Sequence, residues 1–226
     1  MKRLLITTLL AFFCQAHAFE PSFYGGAETQ FCKMCFKRNF GDNLYKRNSI
    51  GANPFLGIHL NSLFAIEAGY QYLSASKTST LPAGEYSAGT PVLPIVAPVT
   101  FKSSFVLKGP HIDFFVLTPT YSQLPLQFFG GIGVSQTKAI FQRKTLQLDG
   151  LIGSTNRRLE VSRSLRRITL GGNYFFNPDF ALRATLVFIN AQKLHAFASD
   201  GVFSYYIPEV RPENTICYGL GLRWGF

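Results

Sequence analysis

The segment Ile216-Cys217-Tyr218-Gly219-Leu220-Gly221-Leu222-Arg223-Trp224-Gly225-Phe226 alternates without a break. Ile216, Tyr218, Leu220, Leu222, Trp224 and Phe226 are large and apolar, and the residues between them are small or charged. A period of two is the signature of a strand, whose side chains point to opposite faces. One face of this strand is apolar enough to meet lipid, and the other suits a narrow polar interior.

Similar segments recur upstream. Phe23, Gly25, Ala27, Thr29 and Phe31 share a face opposite Tyr24, Gly26, Glu28 and Gln30. Ala52, Pro54, Leu56, Ile58 and Leu60 form the next apolar face, followed after Asn61-Ser62 by Phe64, Ile66, Ala68, Tyr70 and Tyr72. So short a connection between alternating runs is a hairpin turn. Pro54 donates no ladder hydrogen bond, so a bulge is expected there. A fourth segment lies around Phe105 to Thr118, and a fifth from Leu126 to about Thr137. The sixth places Ile168, Leu170, Gly172 and Tyr174 outward, and the seventh Leu182, Ala184, Leu186 and Phe188. With the C-terminal segment the expected architecture is an all-β, eight-stranded, antiparallel up-and-down transmembrane β-barrel.

The connections fall into two classes. Asn61-Ser62, Pro119 to Pro125 and Asn177-Pro178-Asp179 are short and rich in turn formers. Those near residues 33–48, 74–104, 138–161 and 190–213 are long. Short periplasmic turns alternating with long external loops are characteristic of outer-membrane barrels. Pro82, Pro91, Pro94 and Pro98 predict irregular chain in the second long loop.

Composition agrees. Hydrophobic residues make up 47%, Phe numbers 23, and charged residues are only 15%, against the ~25% usual for soluble domains. No later stretch approaches the roughly 18 to 20 apolar residues of a membrane helix. A closed barrel crosses lipid with strands that alternate, because closure satisfies every backbone group. Met1 to Ala18 has Lys2 and Arg3, the apolar run Leu4 to Phe13 and Ala16-His17-Ala18, the pattern of a signal peptide cleaved before Phe19. Phe13 is too bulky for the position before a lipoprotein Cys14. Residues 19–226 are then the barrel domain. Without Lys2 and Arg3 the chain keeps 20 basic residues against 12 acidic ones. In an exported chain this favours lipid phosphates or an anionic surface polymer over nucleic acid.

These segments resemble the small outer-membrane β-barrels typified by the OmpA transmembrane domain. The resemblance rests on Phe23-Tyr24-Gly25-Gly26, Phe64-Ala65-Ile66-Glu67-Ala68-Gly69-Tyr70, Phe129-Gly130-Gly131-Ile132-Gly133 and the terminal strand. It implies the outer membrane of a Gram-negative bacterium, contact with outer-membrane lipid and lipopolysaccharide, a monomer, and a terminal Phe226 read by the barrel-assembly machinery. With no further domain after Phe226, the peptidoglycan-anchoring role of OmpA is not expected.

Glu28, Glu67, Asp113, Arg183 and Arg223 all fall on the inward phase. Eight strands leave an interior filled by side chains, so these charges are expected to form a lumen salt-bridge network rather than an ion pathway. His111 shares a face with Asp113, and His195 lies near Ser199 and Asp200, but neither group has the spacing of nucleophile, base and orienter. No catalytic residue, cofactor or metal is assigned. Cys32-Lys33-Met34-Cys35 lacks a second pair or nearby histidine for zinc, and export favours a disulfide. Among Cys32, Cys35 and Cys217 two pairings stand level: the local Cys32–Cys35 bond, or a bond from either to Cys217 across the closing seam. Basic residues crowd the first external loop at Lys37, Arg38, Lys46 and Arg47, and the third at Arg143, Lys144, Arg157 and Arg158. Arg163, Arg166 and Arg167 follow at the start of the sixth strand. The expected function is a non-enzymatic surface protein that contributes to envelope integrity or adheres to an anionic ligand outside the cell. An outer-leaflet lipid-modifying enzyme would need a convergent Ser and His at the rim; a narrow porin would need an emptied lumen.

Overall fold

The computed structural model describes residues 21–36, 45–81, 84–86, 93–95, 98–119, 125–148, 156–194 and 212–226. The expected signal peptide, Met1 to Ala18, lies outside these residues. The strands are β1 (Ser22–Phe36), β2 (Asn48–His59), β3 (Phe64–Leu81), β4 (Gly84–Tyr86), β5 (Leu93–Ile95), β6 (Val99–Leu117), β7 (Leu126–Leu148), β8 (Asn156–Asn177), β9 (Phe180–Ile189) and β10 (Pro212–Gly225). Eight of them close an antiparallel barrel in the order β1-β10-β9-β8-β7-β6-β3-β2. β4 and β5 form a separate two-stranded ladder where irregular chain was expected.

Two tight turns stand at the periplasmic end, each closed by an asparagine. The Asn61 side chain accepts from the backbone N–H of Leu63 and Phe64, and that of Asn177 accepts from Asp179. The β1–β10 seam pairs Tyr24 with Gly225 through to Met34 with Thr215, and the Phe226 N–H donates to Phe23 O at 3.1 Å.

Pro54 makes no bulge. Its pairing with Ala27 is in register, and the β2–β3 ladder skips Asn53–Pro54 but resumes at Phe55↔Gly69 in the register it left at Ala52↔Tyr72. A missing N–H on one side removes a rung without adding a residue. The irregularities occur instead at Met34/Phe36, Thr100/Phe101 and Phe175/Asn177, all near strand ends.

The largest departure is strand length. Much of the chain assigned to the long loops extends the barrel: β3 and β6 stay paired out to Leu81↔Val99, and β7 and β8 out to Lys144↔Asn156. Along these strands the apolar face changes sides. Ile132 and Val134 of β7 point outward, whereas Ala139 and Phe141 are buried inside. On β6, Ile112, Phe114 and Val116 face out, and Phe101, Phe105 and Leu107 face in. β3 switches between Tyr72 and Leu73, and β8 between Ile168 and Leu165.

Below the switch, Phe31, Leu56, Tyr70, Phe114, Phe128, Ile132, Leu170, Tyr218 and Trp224 belong to an exposed apolar belt. An apolar surface of that extent belongs in lipid. Above the switch the exterior is polar: Gln136 accepts from Ser164 and donates to Ser162 on the neighbouring strand.

Candidate functional site

The lumen is stacked in layers. Nearest the periplasm lie Tyr24, Phe55, Ala65, Phe115, Leu117 and Phe129. At the outer end Met34, Phe36, Tyr45, Leu73, Phe105, Phe141, Leu165 and Leu194 pack around Cys32 and Cys217. Among the described residues the densest polar layer, built on Glu28, Glu67, Asp113, Arg167 and Arg183, lies between these two apolar clusters.

All five charged residues assigned to the interior are buried in the lumen. Arg183 from β9 grips Glu67 of β3 through both terminal nitrogens, at 2.6 and 3.1 Å, and its Nε lies 2.8 Å from Glu28 of β1. Its guanidinium sits 4.3 Å from the Phe55 ring centroid and 4.6 Å from that of Phe129. Two carboxylates and two aromatic faces hold the cation in a dry setting, where removing either sign leaves an uncompensated charge. Asp113 of β6 lies 3.1 Å from both His111 Nδ1 and Arg167 Nε. His111 Nε2 is 2.8 Å from Asn53 Oδ1, and the Asn53 amide donates to Glu28. Gln30 and Thr185 also donate to Glu28, and Gln71 donates to Gln30. Arg223 stands apart, stacked over Tyr24 at 4.3 Å and donating to His59.

Glycines make room for this layer. A Cβ at Gly133 would stand 1.7 Å from Asp113 Oδ1, and one at Gly219 would stand 2.2 Å from Thr185 Oγ1 and 2.8 Å from Glu28 Oε2. The small residues that alternate with apolar ones in the sequence are thus the space the charges occupy.

Arg167 was placed with the external basic residues, yet it is buried against Asp113. Its parity, one residue before outward Ile168, carried the signal. Arg143 is corrected in the same way: it points inward and lies over the Phe101 ring at 3.5 Å. Lys144 and Arg158 are exposed, but on strands rather than in a loop. Arg158 and Lys138 both pair with Glu160, whose carboxyl is held below its ordinary range chiefly by Lys138. Lys46 and Arg47 are exposed just before β2. Arg157 is registered opposite Arg143. Lys37, Arg38, His195, Ser199 and Asp200 lie outside the described residues.

Cys32 and Cys217 face each other in the β1–β10 register and are disulfide-bonded, while Cys35 is free. Strand geometry separates the two arrangements: Cys32 points inward, and Cys35, three residues on, falls on the other phase.

The polar exterior above the belt is predominantly basic. Lys102 stands directly opposite Lys144 across the β6–β7 ladder, and Lys108 directly opposite Lys138. Among the described residues, no group of three or more His, Cys, Asp or Glu side chains is arranged to hold a metal.

No family model and no curated protein matches the chain. Among solved structures it is similar to a major outer membrane protein from Thermus thermophilus, at 12% identity and a TM-score of 0.57, covering 92% of this chain and 100% of that one. It is also similar to Ail, the attachment invasion locus protein of Yersinia pestis (13% identity, TM-score 0.49, 92% and 99% covered). A third is the outer membrane protease OmpT from Escherichia coli (7%, TM-score 0.47, 93% and 98%). At such identities the likeness is one of fold. With its closed antiparallel sheet of eight strands and its apolar belt, the chain has the fold of a small outer-membrane β-barrel.

Proposed function

We propose that this protein is a non-enzymatic surface barrel whose basic outer face, centred on β6 and β7, binds anionic polymers outside the cell. The observation that carries this reading is the pair of directly opposed lysines, Lys102↔Lys144 and Lys108↔Lys138. Like charges facing each other across a ladder repel and weaken a sheet. A polyanion laid along the face would turn that repulsion into shared counter-charge. Lys138 already has Glu160 beside it, so Lys102 and Lys144 are the stronger contact.

Two features support this function over catalysis or transport. The His111–Asp113 pair is buried in the lumen, away from the rim where an outer-leaflet enzyme would act. Apolar clusters fill the interior on both sides of the charged layer. Phe226, tied to β1 at the seam, is proposed as the signal by which the assembly machinery receives the chain.

The test is retention of the folded, detergent-solubilised barrel on immobilised heparin, a sulfated polysaccharide, against neutral dextran. Wild type should bind heparin alone and elute with salt, as exposed charge interactions require. The K102Q/K144Q variant should elute at clearly lower salt. Equal elution of the two proteins would refute the proposal.

A further inference from the structure

A notch of about 700 Å³ opens in the barrel wall between β2, β3 and β6. It exists because β2 begins only at Asn48 while β3 and β6 run on. The β2–β3 ladder ends at Ile50↔Ser74, and among the described residues no strand pairs that edge of β3 beyond it. The walls differ in chemistry. Phe31 and Ile50, the outermost exposed apolar residues of β1 and β2, lie on one side, and Lys46 and Lys102 are the cations that line it. Ser74 and Ser76 supply hydroxyls on β3, beside a backbone edge with donors to spare.

We infer that this notch binds a phosphorylated lipid of the outer leaflet. It straddles the line where the exterior changes from apolar to polar, so its occupant must be apolar on one side and anionic on the other. Two lysines with no carboxylate in the lining suit a phosphate headgroup. Phe31 and Ile50 face the membrane, where an acyl chain lies. This goes beyond the polymer-binding face: Lys144 does not line the notch, and Lys46 is not among the opposed lysines.

The experiment is native mass spectrometry of the folded barrel in micelles supplied with bisphosphorylated lipid A. Wild type should carry one lipid, held about tenfold more tightly than by K46Q/K102Q, as expected when charge-assisted contacts are lost. Dephosphorylated lipid A should bind as weakly as the variant does to the intact lipid. K144Q should keep the lipid while eluting from heparin at lower salt than wild type, which separates this inference from the polymer reading. Lysine acetylation of wild type provides a check that needs no variant: the lipid should protect Lys46 and Lys102 but not Lys144. Equal lipid binding by wild type and K46Q/K102Q would overturn the assignment. So would displacement of the lipid by an equal concentration of inorganic phosphate, which would mark a site for free anions.

Discussion

The membrane-embedded part of the barrel and its outer extension are built from the same strands with opposite polarity. In the membrane, β7 points Ile132 and Val134 outward, and its inward neighbour Gly133 makes way for the buried charge of Asp113. A few residues further along, Phe141 is buried and exposed Lys144 faces out. The reversal follows from solvent alone. Where lipid surrounds the sheet, the apolar face turns out and the interior takes the charges; where water surrounds it, the same sheet packs like a soluble core. One chain therefore has two kinds of stability: a charged network below and an apolar core above.

The comparison can be broken by mutation. The largest effect is expected in the network: Arg183→Ala leaves Glu28 and Glu67 buried without their shared cation and should cost about 3–5 kcal/mol, read as a lowered urea midpoint for folding in vesicles. In the outer core, Phe141→Ala should cost about 3 kcal/mol, as in a soluble protein. Phe128→Ala, at an outward position in the belt, should cost well under half of that. Equal losses for Phe141 and Phe128 would erase the distinction between the regions. Cys217→Ser opens a link between residues 185 apart in sequence and should lower stability by about 2 kcal/mol without changing the fold. In non-reducing peptide maps, wild type should then yield a Cys32–Cys217 fragment and an unlinked Cys35. The smallest effect belongs to the exposed exterior. Glu160→Gln should lower the urea midpoint only slightly near neutral pH, and not at all in acid. Any stabilisation from the depressed Glu160 carboxyl is present above its ordinary titration range and fades as pH falls through the lowered one.

The same reversal explains what the sequence made legible. Within the belt the dyad pattern holds, more weakly around Phe105 to Thr118 where Phe114-Phe115-Val116-Leu117 are all apolar, so the existence and order of the eight strands could be read from it, and so could the inward phase of Glu28, Glu67, Asp113, Arg183 and Arg223. At the membrane boundary the apolar residues change parity, as between Tyr72 and Leu73. A search for unbroken alternation takes that change for the end of a strand. The strands accordingly appeared too short, the loops too long, and Arg143 and Arg167 were counted with the external charges. Arg167 was recoverable from the parity of Ile168. Arg143 was not, because inward cation and outward lysine are adjacent and only the register separates them. The notch was hidden for a different reason: it arises from unequal strand lengths.

The decisive measurement is a spin-label scan along β7 from Ile132 to Lys144 in a Cys35→Ser background, in lipid vesicles, comparing collisions with oxygen and with a water-soluble nickel complex. Outward positions through Val134 should meet oxygen, those from Gln136 onward should meet nickel, and Ala139 and Phe141 should meet neither. Strong oxygen contact at Lys138 and Gln142, or free nickel access at Phe141, would contradict a barrel that reverses its polarity at the membrane surface.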